Sequence, residues 1–376
     1  MTKQNNMPNM KKLTKLDNLS PELLYYPIDQ RNNLELFVDG NSQLYKETPI
    51  YKMDGINYYS TVSGKALGTK KIGENNYLVV QNDFKEKYKV SKSLRKKVKN
   101  LSKKEILDLL KNNEYANYSD NIKYFINNFE KIDSLVLSLM VCEESQKVYS
   151  YVFEKHNIEI MEIFDDLSQI FEIQNPIIII SDTEDVNIEY ITNLSGMFPN
   201  IRVVLSSDKY PSSHPLLISR KLNLTNSLVL TPVDLYYLYS IIKKDKKVLE
   251  KYVYVTGPML EKNYFVNTKL NVLVSDILNR CKIKLSDDEV ICKNSAIRGE
   301  VISKDDIIDP TVDALIIVKK EICDEKECIN CGLCNKYCPQ KLNPQFYKLS
   351  KKLFPGKCID CNMCSYICPS KIGRKL

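Results

Sequence analysis

Two stretches in the last 50 residues of this 376-residue sequence repeat one pattern. The first reads Cys328-Ile-Asn-Cys331-Gly-Leu-Cys334-Asn-Lys-Tyr-Cys338-Pro339. The second reads Cys358-Ile-Asp-Cys361-Asn-Met-Cys364-Ser-Tyr-Ile-Cys368-Pro369. Both are C-x2-C-x2-C-x3-C-P, the spacing that holds a [4Fe–4S] cubane, and the duplication makes the signal specific. Three cysteines at intervals of three wrap one face of a cluster. The fourth lies too far round to close its own cluster and ligates the other one. This assigns Cys328, Cys331, Cys334 and Cys368 to one cluster, and Cys358, Cys361, Cys364 and Cys338 to its twin. Gly332 in the first run and Asn362 at the same place in the second tolerate left-handed backbone, which turns N–H groups toward the sulfurs. Pro339 and Pro369 stop each run from continuing as helix. Zinc favours two separated C-x2-C pairs over three cysteines in a row followed by C-P.

The chain has twelve cysteines and two histidines. A site built on several histidines is therefore excluded. Cys142, Cys281 and Cys292 are expected to be small buried hydrophobes; Cys323 lies close enough to the first run for its role to stay open. Residues 1–16 are polar and lysine-rich and are not expected to be a secretory signal, so cysteine clusters point to metal or redox chemistry in a reducing compartment. No apolar run approaches the ~20 residues that cross a bilayer. The formal charge is +7, but 47 of the 54 basic residues are lysine. A phosphate-reading surface would favour arginine forks, so nucleic acid is not an expected partner.

The rest of the chain divides by its patterning. After an N-terminus expected to be flexible (1–22), residues 23–82 carry candidate strands at 34–38, 48–53, 58–62 and 77–81. They are separated by Asp39-Gly40, Asp54-Gly55, Ser63-Gly64 and Gly73-Glu74 turns, which suggests a small β barrel or sandwich. A lysine-dense stretch, 83–104, reads as a solvated linker and helix face. Residues 83–245 then alternate. Apolar strands at 135–141, 177–181, 201–205 and 228–230 fall between helical patterns such as 143–156, 187–194 and 233–242, an α/β layout. Residues 246–300 return to strands at 251–256 and 264–268, followed by a helix at 272–280, as in a small β-grasp-like unit. Residues 301–320 are expected to link this unit to the cysteine module, 321–376. No glycine occurs between Gly73 and Gly196. The α/β region thus opens without a loop that lets backbone approach a phosphate, and neither G-x-G-x-x-G nor a Walker motif occurs.

Several segments together resemble the RnfC family, one of the components of the Rnf electron-transport complex. They are both cysteine runs with Lys341-Leu342-Asn343-Pro344-Gln345, and Thr48-Pro49-Ile50 with Ser60-Thr61-Val62-Ser63-Gly64. Asp39-Gly40, Lys209-Tyr210-Pro211, and Val253 to Gly257 with Leu273-Val274-Ser275-Asp276 complete the set. The resemblance covers residues 23–372. It implies a multidomain α/β fold: a barrel-sandwich hybrid, a Rossmann-like α/β domain related to the flavin-binding part of respiratory complex I, a soluble-ligand-binding β-grasp (SLBB) domain, and a C-terminal 2[4Fe-4S] ferredoxin-like domain. It also implies FMN and NAD(H). Yet where that family carries a glycine-rich flavin loop this chain has Asn112-Asn113-Glu114-Tyr115-Ala116-Asn117-Tyr118, and Ser212-Ser213-His214 follow the Lys-Tyr-Pro motif. The expectation is a divergent member that keeps two [4Fe-4S] clusters and has lost FMN and NAD(H). It would pass electrons as a subunit peripheral to the cytoplasmic face of the membrane, held there by partner subunits, with oxidoreductase or translocase activity only in a complex. Lys336, Lys341, Lys348, Lys351, Lys352, Lys357 and Lys371 could steer an acidic ferredoxin or flavodoxin. Two other readings are a soluble RnfC-like reductase component, proline-reductase-associated or cobalamin-reductase-like, and a scaffold with structural clusters.

Overall fold

Turn chemistry sets the first module. The computed structural model describes residues 11–29, 33–88, 101–111, 113, 115, 118–182, 188–198, 200–320, 325–349 and 358–373. Eight strands open the chain: β1 (Lys12–Leu19), β2 (Leu23–Ile28), β3 (Leu34–Leu36), β4 (Gln43–Leu44), β5 (Pro49–Met53), β6 (Ile56–Tyr59), β7 (Gly64–Ile72) and β8 (Asn75–Asn82). Positive φ at Asp54, Gly55 and Gly73 closes the β5–β6 and β7–β8 hairpins. One sheet runs β2-β8-β7-β4 and a second β3-β5-β6. Leu24, Tyr26, Ile50 and Tyr51 are fully buried between them. Strand β1 corrects the expectation of a flexible N-terminus over residues 12–19. It pairs in parallel with a strand some 250 positions later, Lys12 facing Lys262 and Leu16 facing Val266. Such long-range pairing leaves no local signal.

The middle of the chain starts with α1 (Lys103–Lys111), α2 (Asp120–Asn127), β9 (Ser134–Leu139) and α3 (Lys147–Ile170). It continues with β10 (Ile177–Ser181), α4 (Ile188–Ser195), β11 (Arg202–Ser206), α5 (Pro215–Lys221), β12 (Ser227–Leu230) and α6 (Pro232–Lys244). Four parallel strands lie in the order β11-β10-β9-β12. Strands β9, β10 and β12 are buried on both faces, which is why they read as continuous apolar runs. The strand order steps outward from β9 through β10 to β11 and then returns to β12 on the other side of β9. Ligand crevices of open α/β sheets lie at such a reversal, at the carboxyl ends of the strands. The helix expected at 143–156 begins later and runs to Ile170, with a break in its dihedrals at His156.

The last sheet holds the molecule together. It is built from β13 (Glu250–Thr256), β14 (Lys262–Lys269), β15 (Glu289–Lys293), β16 (Glu300–Ile302) and β17 (Ala314–Lys319), with α7 (Val274–Cys281) after β14. With β1 it forms six strands in the order β1-β14-β13-β17-β15-β16. The expected linker at 301–320 is corrected here: β17 is a central strand, paired to β13 on one side and β15 on the other. Side chains alternate between two cores, as the period of a strand requires. Tyr252, Tyr254, Ala314 and Ile316 pack on the α/β module. Val253, Val255, Leu315 and Ile317 pack on the barrel residues Leu24, Tyr26 and Ile50. Three short helices follow, α8 (Leu333–Lys336), α9 (Pro344–Leu349) and α10 (Met363–Tyr366). Among the described residues no helix is long and apolar enough to cross a membrane.

Candidate metal centre

The duplicated cysteine runs fold as duplicates. Gly332 (φ 70°) caps α8 and Asn362 (φ 56°) caps α10, both in the left-handed region. The N–H groups of Asn335 and Lys336 donate to the Gly332 carbonyl, and those of Ser365 and Tyr366 to the Asn362 carbonyl. Each helix ends before its fourth cysteine, at Lys336 and at Tyr366, and the chain turns back through Lys341 N–H to Cys338 O and Lys371 N–H to Cys368 O. The sequence reasoning missed a second matched pair. Asn330 and Asp360, each just before the second cysteine of its run, also have positive φ. Asn and Asp are the non-glycine residues that enter this region most readily, so the signal was present. At Asp360 this conformation sets its backbone N–H 3.4 Å from the Cys358 sulfur.

The eight thiols surround two cavities. The larger, about 330 Å³, is lined by Cys328, Cys331, Cys334, Cys364 and Cys368. The smaller, about 40 Å³, is lined by Cys338, Cys358, Cys361 and Cys364. Each cavity thus gathers three cysteines of one run together with the last cysteine of the other, and Cys364, which lines both, lies between them. The two rings differ in solvent access. Cys328 and Cys331 are exposed, whereas Cys361 is buried, at 9% exposure. Burial pushes the Cys361 and Cys358 thiols up. Bound iron would offset that cost, because a coordinating thiol is deprotonated and the metal supplies the compensating charge. The donor set therefore fits two iron–sulfur clusters: all-thiolate rings, left-handed turns beside them, and a backbone N–H at one sulfur.

The other cysteines stand apart. Cys281 and Cys292 are buried among apolar neighbours, and burial pushes their thiols up to about 12 and about 11. The Cys142 thiol lies 3.3 Å from the Ser212 hydroxyl. Cys323 lies outside the described residues.

The inner ring sits against the rest of the molecule. The Tyr210 hydroxyl donates to the carbonyl of Cys361 at 2.6 Å. The Asn362 side-chain amide donates to Ile297 O at 2.7 Å, and the Arg220 guanidinium to Gln340 Oε1 at 2.7 Å. Behind this contact lies a cavity of about 530 Å³ at the strand-order reversal, with Glu143, Tyr149, Tyr210, Arg298, Asp313 and Cys361 in its wall. Glu143 pairs through Oε1 with Arg298 at 2.7 Å, and its Oε2 is buried without a partner among the described residues. Burial, then the neighbouring Glu143 charge, holds the Tyr210 hydroxyl well above its ordinary value, so it stays a donor. His214 is held below its ordinary value by burial and by Arg298.

Of the segment that stands where the resemblance puts a flavin loop, Asn113, Tyr115 and Tyr118 are among the described residues, and Asn112, Glu114, Ala116 and Asn117 lie outside them. Tyr115 turns inward: its ring packs edge-on against Tyr237, and its hydroxyl donates to Asp234 at 3.1 Å. Asp234 is buried and also accepts from Ser119, Asn121 and both the N–H and hydroxyl of Thr231. This anchor went unread, although Thr231-Pro-Val-Asp234 is a capping-box signature. Among the lysines named for steering, Lys351, Lys352 and Lys357 lie outside the described residues.

Residues 320–369 match the model of the 4Fe-4S dicluster domain. No curated protein matches the chain. Among solved structures, one described as an NAD+-reducing [NiFe]-hydrogenase in the air-oxidized state aligns with a TM-score of 0.46 and 7% identity, over 60% of this chain and 47% of that one. The same kind of enzyme in the H2-reduced state aligns with a TM-score of 0.43 and 9% identity, over 61% and 48%. This chain therefore spans about half the length of the solved chains it matches. The C-terminal module, in a mixed α/β multidomain chain, is a 4Fe-4S dicluster domain, which supports an iron–sulfur electron-transfer function.

Proposed function

We propose that the chain is a divergent RnfC-like electron-transfer protein that carries two [4Fe–4S] clusters and passes single electrons between them. Cys328, Cys331, Cys334 and Cys368 hold the outer cluster, and Cys338, Cys358, Cys361 and Cys364 the inner one. The observation that carries this reading is the pair of thiol rings, each closed by a cysteine from the opposite run. In the same reading, the two small sheets are a barrel-sandwich hybrid domain, the parallel sheet with its helices a degenerate Rossmann-like domain, and β13 to β17 with α7 an SLBB-type unit. No side chain need carry acid–base chemistry, since the clusters supply the redox step and the protein sets potential by burial, hydrogen bonds and charge.

FMN and NAD(H) are not cofactors in this reading. A phosphate needs glycine-backed N–H groups and positive charge. Here the corresponding segment places the Tyr115 ring inward, and the cavity wall carries Asp120, Glu143 and Asp313 against the single guanidinium of Arg298. The partners are other subunits of an Rnf-type membrane complex, which would hold the chain at the membrane surface, or an acidic ferredoxin or flavodoxin met by the lysines of the dicluster module. Anaerobic purification with iron, sulfide and flavin analysis and EPR tests the core of the reading. About eight irons per chain, two spectroscopically distinct clusters and no flavin are expected. Stoichiometric FMN, or reduction of the clusters by NADH, would overturn the nucleotide-free part. Reduction by an acidic partner should slow as salt rises, because exposed charges are screened. A salt-independent rate would remove the steering lysines.

A further inference from the structure

The two cysteine runs are near-copies, but their surroundings are not. In the first run Cys331 is exposed and Gly332 has no side chain with which to anchor it. In the second, Cys361 is buried and is gripped from outside the module. The loop between β11 and α5 presents Tyr210 to it, and that loop is itself held rigid. Ser212 Oγ donates to Ser207 O at 2.8 Å, the His214 N–H to Pro211 O at 2.9 Å, and the Gln146 amide to Ser213 Oγ at 2.7 Å. On the other side Asn362 is tied to Ile297, next to the Arg298–Glu143 pair. The hydroxyl of Tyr210 therefore meets the Cys361 carbonyl in one fixed geometry.

We infer that Tyr210 is a positioning residue that separates the potentials of two otherwise similar clusters, through its hydrogen bond to the carbonyl of Cys361. This rests on the reading that the eight cysteines hold two clusters. The hydroxyl points the positive end of its dipole at a ligand residue of the inner cluster. At a part-buried contact on the buried Cys361 that dipole is less screened than in open solvent, so it favours the form of the cluster with one more electron. Cluster potentials respond to charge, hydrogen bonding and solvent exposure. The outer cluster, with Cys328 and Cys331 in solvent, receives no such contact from Tyr210.

The test is an EPR-monitored redox titration of the full-length protein, purified anaerobically, as wild type and as Tyr210→Phe. Phenylalanine keeps the ring and removes the donor. One of the two signals is expected to fall in midpoint, by up to about tenfold in its reduction equilibrium, which is about 59 mV for one electron. The other signal stays in place. Arg220→Lys is the companion variant, since it alters the bond that ties the same two modules through Gln340 while keeping the positive charge; it should leave both midpoints unchanged. The inference is overturned if Tyr210→Phe moves neither signal or both equally, if it loses iron, or if Arg220→Lys reproduces its shift. Wild-type protein with no cluster signal would instead overturn the two-cluster reading itself, so the two failures are told apart.

Discussion

Exchange of the fourth cysteines between runs makes a prediction that separates crossed ligation from its alternative. If each run closed its own cluster, Cys368→Ser would damage the cluster of Cys358, Cys361 and Cys364. If the ligands cross, it damages the cluster of Cys328, Cys331 and Cys334 and spares the other. Either way iron falls from about eight to about four per chain, because each variant removes one ligand from one cubane, so iron content alone does not decide. Accessibility does. The ring containing Cys328 and Cys331 opens onto a cavity of about 330 Å³, and Ile329 between them is 66% exposed. The ring containing Cys361 is the smaller one; Cys358 is its exposed member, and Tyr210 covers it from the α/β side. An iron chelator should therefore bleach the wild-type clusters in two phases of similar amplitude, the outer first. Crossed ligation predicts that Cys368→Ser retains only the slow phase and Cys338→Ser only the fast one. The reverse assignment, fast phase left in Cys368→Ser, would refute it.

Three other substitutions and conditions follow from the packing. Lys251 is 2% exposed and bonds Asp313 at 3.0 Å and Pro310 O at 2.7 Å; Lys251→Met should cost up to about 3 kcal/mol in denaturant unfolding by leaving a part-buried carboxylate unpaired. Burial already holds Asp313 above its ordinary value and Lys251 opposes that shift, so in the variant the carboxylate binds a proton more readily and the deficit should shrink as pH falls. His156 is held below its ordinary value by burial, so the unfolded chain binds the proton more tightly. Its contribution is full above about pH 6.5 and is lost as pH falls from there toward the depressed folded value; thermal midpoints at pH 7.5 and 5.5 should converge in His156→Gln relative to wild type. Gly257→Ala would set a Cβ 2.2 Å from Ile317 O, where β13 meets β17, and should lower stability by about 1–3 kcal/mol in the same unfolding assay.

What could be read from the sequence was what is local. The cysteine spacing, the left-handed positions at Gly332 and Asn362, and the apolar strand at Ile177–Ser181 each depend on a few consecutive residues, and each stands in the structure where the pattern put it. Strand β1 was not legible. It is an edge strand with Leu13 exposed and polar residues through its length, and only its pairing with β14 makes it a strand. Strand β17, within the expected linker, carries the apolar run Leu315 to Val318, but its central place in the sheet comes from pairing with β13 and β15 and is not written in consecutive residues. The Tyr210–Cys361 contact spans 151 positions and the buried Asp234 anchor more than 110. Neither long-range pairing shows in consecutive residues: the first follows from how two modules dock and the second from how α6 packs within the α/β module, where only the local Thr231–Asp234 cap is legible.

That docking bears on how electrons could move. A ferredoxin-like module on a free tether would present both clusters to solvent in turn. Here the module is held by Tyr210 at Cys361, by Ile297 at Asn362 and by Arg220 at Gln340, three contacts from the β11–α5 loop, the β15–β16 loop and α5, so it has one orientation. That orientation turns the outer ring to solvent and the inner ring toward the 530 Å³ cavity, and Cys364 lines both rings. Each oxidised cluster with four thiolates carries about −2, so two of them change the formal +7 to roughly +3. That added negative charge lies at the C-terminal end, where lysines lie close in sequence, while the cavity wall behind the inner ring is itself acidic. The walls of the two rings differ less in charge than in access: Glu325, Lys326 and Glu327 flank the outer ring and Asp120, Glu143 and Asp313 the cavity behind the inner one, so the exposure of Cys328 and Cys331 is what would make the outer ring the side at which a redox partner is met.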